Sequence, residues 1–254
     1  MINLIEYPIV AFVVAVPLLS LVAQAGVRFR RWRPLDDETR QDFNVLLGAA
    51  LTFLALIIGF SFSMASGRFD QRKNYEEAEA NAIGTEYVRA DLLPASDAAK
   101  VRSLLKAYLD QRILFYTRHD DQELAQIAAR TTQLQTDLWT AIKGPAAASP
   151  TPVTALVVAG MNDVLNSQGY AQAAFWYRLP MSAWLFMGCI SICCNFLVGY
   201  GLRSTSTARG PLFVFPVFIA LAIAFISDID SPRRGVIRVV PQNLISLANS
   251  LPAS

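Results

Sequence analysis

Two sets of charged residues stand where apolar stretches end. Arg68, Arg72, Glu76 and Glu79 follow the uncharged run 45–66 at steps of four, four and three, so a helix would put them on one face. Asp228 and Asp230 close a second apolar run, with Arg233 and Arg234 just beyond. Charges so placed can form ion pairs at a membrane edge. Repeated around a symmetry axis, they can instead form a charged ring or an inter-subunit latch at a pore mouth. The plainer reading takes the first set as surface pairs, worth a few tenths of a kcal/mol each, and the second as ion pairs that fix a helix end.

Within the run 45–66 two rows emerge at helical spacing. Gly48, Thr52, Ala55, Gly59, Ser63 and Ser66 form a stripe of small residues, the kind that lets membrane helices approach closely. Phe53, Ile57, Phe60 and Met64 form a bulky apolar row. Such a row faces lipid or, where several copies of the helix surround an axis, makes a constriction that closes by dewetting.

Other chemistries find no residues to carry them. His119 is the single histidine, with no cysteine or second histidine near it, so no zinc site is expected and a turn residue is the plain reading. Cys189, Cys193 and Cys194 lie together in one apolar segment and read as small core- or lipid-facing residues. No phosphate-cradling glycine loop and no nucleophile–base set can be assembled. No cofactor, metal or enzymatic activity is expected. A net charge of +2 without a basic, aromatic-interleaved stripe argues against nucleic acid.

The elements that would position these residues follow from composition and length. Of 254 residues, 54% are hydrophobic and 17% charged, against roughly 25% charged in an average soluble domain. Four segments, about 8–27, 43–66, 179–201 and 211–227, contain no Asp, Glu, Lys, Arg or His and approach the ~20 residues that span a bilayer. Charge-free spans argue against an ion-coupled transporter. Ala23-Gln24-Ala25 resembles a leader cleavage site, but residues 1–7 carry Glu6 and no basic residue, the wrong flank for a secretory signal. Pro17 and Pro216 are tolerable inside membrane helices.

No proline separates Phe43 from Leu93, which predicts one helix of ~50 residues, roughly 75 Å long. Val101, Leu104, Leu105, Tyr108, Leu109, Arg112 and Tyr116 predict an amphipathic helix opened by Ser96 and Asp97 as caps. Leu124, Ile127, Ala128, Thr131, Leu134, Leu138 and Ile142 predict a second, ending at Gly144-Pro145. Residues 144–152 read as a flexible or extended linker, and 156–170 as one more helix. The expected fold is an all-α integral membrane protein: four transmembrane helices with a helical soluble insert between the second and third. Its parts are a first hairpin (1–66), the insert (67–178), a second hairpin (179–227) and a C-terminal tail (228–254), with membrane lipid as surroundings.

Orientation is balanced. Arg28, Arg30, Arg31, Arg33 and Arg40 would draw the first loop to the cytoplasm. Adding Arg203 and Arg209 gives seven basic residues on that side, and Arg68, Arg72, Lys73, Arg178, Arg233, Arg234 and Arg238 give seven on the other.

The segment Gly59-Phe60-Ser61-Phe62-Ser63-Met64 leading to Arg68, Arg72 and Lys73 resembles the second-helix region of bacterial bestrophins. Glu79-Ala80-Asn81-Ala82-Ile83-Gly84-Thr85-Glu86-Tyr87 and Arg89-Ala90-Asp91-Leu92-Leu93-Pro94 are similar to the bestrophin-like family of bacterial membrane proteins. Asp228-Ile229-Asp230-Ser231-Pro232 is similar to the acidic-Ile-acidic-x-Pro element after the last bestrophin helix. The resemblance covers nearly the whole chain. It implies a homo-oligomeric channel, pentameric in bestrophins, in a bacterial inner membrane, with ions as permeants and the insert in the cytoplasm. It would put Gly59 and Phe60 on the pore helix, with Phe53 and Ile57 joining by helical spacing. Phe69-Asp70 stands where bestrophins have an aromatic pair. No acidic clasp follows Asp230, so calcium gating and ion selectivity do not carry over. Two alternatives stay open: a non-conducting membrane scaffold or sensor whose insert binds a partner, and an accessory subunit of a transporter.

Overall fold

The structure, a computed structural model, describes residues 7–202 and 209–252. Arg203, counted above among the loop charges, and the side chain of Arg209 lie outside the described residues, as does Glu6. Eight α-helices and no strand occur among the described residues. They are α1 (Pro8–Trp32), α2 (Asp37–Arg89), α3 (Ala95–Thr117), α4 (Asp121–Ala148), α5 (Pro152–Trp176), α6 (Met181–Gly201), α7 (Arg209–Asp230) and α8 (Gln242–Ser250). The protein is all-α, as the apolar periodicities imply. The stretches Pro8–Trp32, Glu38–Leu92, Pro152–Gly201 and Leu212–Asp230 each hold a window long and apolar enough to cross a membrane.

The long second helix is present and uninterrupted for 53 residues, and a 3₁₀ turn, Ala90–Leu92, carries it to Pro94. Helix α1 runs past its apolar segment, so Arg30 and Arg31 occupy its last turn, where cations favour the negative helix end. Three expectations need correction. Pro94, not Ser96 or Asp97, precedes α3; Asp97 lies inside the first turn, near the positive helix end. Residues 144–148 are helix, not linker: α4 absorbs Pro145, whose missing N–H costs it one hydrogen bond, and three alanines continue it to Ala148. The connection to α5 is only 149–151, closed by a Thr151–Thr154 capping box. Finally, α8 arises within the tail.

The chain divides into two compact units: Met1–Arg68 with Arg178–Arg238, and Phe69–Tyr177 with Val239–Ser254. Helix α2 contributes to both. The tail is shared as well, its first part in the membrane unit and its last part, with α8, in the insert unit.

In the membrane unit, Leu19, Leu54, Cys194 and Ile219 bring α1, α2, α6 and α7 to one core. Glycine sets the closest approach. A Cβ on Gly199 would overlap the Ala23 carbonyl oxygen, and one on Gly26 would overlap that of Phe196, so the α1 and α6 backbones touch. In the insert unit, α3, α4 and α5 enclose Leu105, Leu109, Leu134, Leu138, Ile142, Met161 and Val164, joined by Ile83 of α2 and Leu244 of α8. These are largely the apolar rows that periodicity assigns to the helix faces.

The α1–α6 contact predicts a sharp difference between glycines. Gly199→Val should cost about 1–3 kcal/mol of stability through overpacking. Gly188→Ala, with nothing within 4 Å of its added carbon, should be neutral or slightly stabilising. Thermal unfolding in detergent compares the two.

Candidate functional site

The apolar half of α2 turns Phe43, Leu54, Ser61 and Ala65 into its own unit. The small stripe lies on the opposite arc and the bulky row on one flank. Gly48, Thr52, Ala55, Gly59 and Ser63 are exposed, and nothing approaches within 4 Å of a carbon added at Gly48 or Gly59. Among the described residues, no other helix packs against the small stripe at Gly48 or Gly59. The Thr52 hydroxyl donates back to the Gly48 carbonyl (2.9 Å), which satisfies it inside an apolar segment. In the bulky row Phe60 is 59% exposed, while Ile57 is half-buried. Phe53 and Met64 are also exposed, but the Phe53 ring is held edge-on by Phe186 of α6 at 6.0 Å. Phe62, on the other flank, stacks on Phe225 of α7 at 5.7 Å.

At the end of α7, Asp228 and Asp230 are buried. Asp230 accepts the Leu179 N–H through both oxygens (3.0 and 3.1 Å), which fixes the entry to α6. Asp228 accepts the N–H groups of Val236 (2.6 Å) and Ile237 (2.9 Å), folding the chain back on the helix end. Gly235 permits that fold, since a side chain there would press on Asp228. Arg233 is half-buried; Arg234 is exposed, with its guanidinium 4.8 Å from the Tyr7 ring centroid. Backbone N–H groups on neighbouring segments, invisible to a search for opposite charges, bind both carboxylates.

The charged half of α2 overturns the expectation of surface pairs. Arg68 is half-buried, but Arg72, Glu76 and Glu79 are buried, and their partners come from other helices. Arg72 donates Nε to the Ala174 carbonyl (3.1 Å) and Nη2 to that of Tyr177 (3.4 Å), capping the C-terminus of α5. Glu76 accepts the Leu244 N–H (3.0 Å) and the Asn243 side-chain amide (2.7 Å), capping the N-terminus of α8. Glu79 takes a two-pronged ion pair from Arg112 of α3, with the Nη2–Oε2 bond at 3.3 Å, and a hydrogen bond from the Tyr116 hydroxyl. The Arg112 guanidinium also lies 4.3 Å from the Phe115 ring centroid. Burial raises the Tyr116 and Tyr108 hydroxyls, and the Glu79 charge adds to it, so both stay protonated. Arg112 was visible in sequence as the one charge in an apolar helical row.

Glu86 continues the same buried face and has no counterpart among these caps. Neither carboxylate oxygen has a hydrogen-bond partner. It lies against Gly160 of α5, where any side chain would overlap both Glu86 and Arg89. Burial pushes its carboxyl up to about 8, with Arg89 opposing and Asp163 adding to the rise.

Comparison with known proteins follows the same lines. Residues 14–244 match the Bestrophin-like domain. The chain belongs to the bestrophin-like family. A crystal structure of a bacterial bestrophin homolog from Klebsiella pneumoniae is similar over 96% of this chain and 99% of that one, at 17% identity and a TM-score of 0.64. A single-substitution variant of a crystallised membrane protein is similar at 16% identity over 96% and 99% of the two chains, TM-score 0.65. A variant of the Klebsiella homolog matches at 17% over 95% of each, TM-score 0.63. Among curated proteins none matches significantly. The bestrophin fold is thus shared at low identity, with apolar helices that mark a membrane protein.

Two measurements probe the bestrophin-like insert. Arg112→Met strands the Glu79 charge in the core and should cost about 3–5 kcal/mol; adding Glu79→Gln should recover part of it, as read by chemical denaturation. Glu86 binds a proton more tightly folded than its usual value near 4.5 would allow. Its stability contribution is therefore full below that value and is lost as pH rises toward about 8. Protection of α5 amides, taken relative to their intrinsic exchange rates, should fall across that window, and Glu86→Gln should flatten the fall.

Proposed function

We propose that this protein is a multi-pass inner-membrane ion channel, built from several copies that set their α2 helices around a common axis. The observation that carries the reading is the unused arc of α2. The charge-free half of α2 leaves the small residues Gly48, Thr52, Ala55, Gly59 and Ser63, and Phe60 and Met64 of the bulky row, exposed among the described residues. Small residues let neighbouring copies approach closely. The adjacent bulky row then converges on the axis and restricts passage by dewetting. Phe60 and Met64 are the foremost constriction residues. Phe53 is drawn toward Phe186, and Ile57 toward its own unit. Membership in the bestrophin-like family supports the channel class, and the bestrophin resemblance makes five copies the expected number.

The acidic residues Asp228 and Asp230 serve this channel as fixtures of the α6 entry and α7 exit rather than as a free ring, because backbone N–H groups occupy their oxygens. Arg68 remains the charge at the end of the apolar arc nearest the constriction.

Full-length protein in planar bilayers should pass current, and Phe60→Ala should raise it severalfold, with Ile57→Ala acting more weakly. Imaging of detergent-solubilised particles should show rotational symmetry with α2 at the axis. Silence of wild type and both variants, with oligomers intact, would favour a non-conducting scaffold instead.

A further inference from the structure

Helices α1 and α7 leave an open groove of about 420 Å³ between them within the membrane unit. Its long wall is one face of α1: Leu21, Gln24, Ala25, Arg28 and Arg31 recur at steps of three and four, and Leu212 of α7 closes the other side. The groove changes character along its length. Leu21 and Ala25 belong to the charge-free part of α1, while Arg28 and Arg31 stand beyond its last apolar residue. With a rise of about 1.5 Å per residue, the two guanidinium-bearing positions lie roughly 10–15 Å along the helix from Leu21. That is the distance from upper acyl chain to phosphate. Trp32, 81% exposed, marks the same level as the membrane–water interface, where tryptophan concentrates.

We infer that this groove binds an anionic phospholipid, with Arg28 and Arg31 on its phosphate and its acyl chain along Leu21, Ala25 and Leu212. The charge balance selects the occupant: among the described residues, two guanidinium groups and no acidic side chain line the groove. Neither arginine is paired with an acidic residue among the described residues. Two forked cations one helical turn apart suit a phosphodiester that carries a net charge. A zwitterionic headgroup brings its own ammonium and repels them. A free phosphate would gain nothing from the apolar floor, whereas a lipid fills both halves. Leu21 is 63% exposed, so the apolar end opens to the bilayer and gives the chain its way in. The volume falls within the ~300–1,000 Å³ usual for ligand clefts.

The test uses full-length protein in neutral detergent, titrated with dioleoylphosphatidylglycerol or dioleoylphosphatidylcholine, with bound lipid counted by native mass spectrometry. Wild type should retain phosphatidylglycerol at least tenfold better than phosphatidylcholine, and inorganic phosphate should not displace it. The R28Q/R31Q double variant should lose that preference. K143Q/R130Q, which removes the same charge from the insert unit, should keep it. Leu21→Trp, which fills the apolar half with both arginines intact, should lower retention too and guards against a folding defect in the arginine variant. Unchanged retention in R28Q/R31Q or in Leu21→Trp, equal loss in K143Q/R130Q, or displacement by phosphate would each overturn the assignment.

Discussion

Burying an ionisable side chain costs several kcal/mol unless another group answers it, and the second half of α2 buries four. Arg72, Glu76, Glu79 and Glu86 occupy one face at helical spacing, and the insert unit is arranged around their needs. The C-terminal carbonyls of α5 answer Arg72, the first turn of α8 answers Glu76, and Arg112 with Tyr116 of α3 answers Glu79. Each charge thereby fixes a different helix to the same rod. The apolar core of α3, α4 and α5 fills the space those attachments define. Only Glu86 is left without a partner, and it meets a glycine that makes room for it.

The membrane unit solves its packing the other way. Its helices carry no charge inside the apolar segments, so their association rests on fit. Glycine and alanine let α1 and α6 meet backbone to backbone at Gly26, Ala23 and Gly199. The buried carboxylates at the end of α7 bind backbone N–H groups. One helix therefore obeys two rules along its length: small and apolar contacts first, then buried charges with dedicated partners. The arc it leaves uncovered in the apolar half is what the proposed oligomer would use.

Much of the helical layout was legible because its signals are one-dimensional. Charge-free runs near bilayer length mark α1, α2, α6 and α7, and periodic apolar rows mark α3, α4 and α5. Local signals mislead where they compete with their surroundings. Gly144-Pro145 is a strong stop in isolation, yet α4 continues because one lost hydrogen bond is small against three further helix-forming alanines. The nine-residue α8 is too short to persist alone and depends on Glu76, 167 and 168 positions away from the groups it binds. The Arg–Glu spacing on α2 suggests neighbours pairing along the surface, because sequence shows a helix's own periodicity and not which face is covered.

By itself, then, the sequence determined the all-α class, the apolar segments and the two rows on α2, since length, charge and period suffice to specify a helix and its faces. The family followed from the residues near Gly59, Glu79 and Asp228. Tertiary structure alone decided which faces are buried and who answers each charge. Those choices join residues tens to hundreds of positions apart, and the groups that complete them are often backbone N–H and C=O, which every residue has and no side-chain pattern announces.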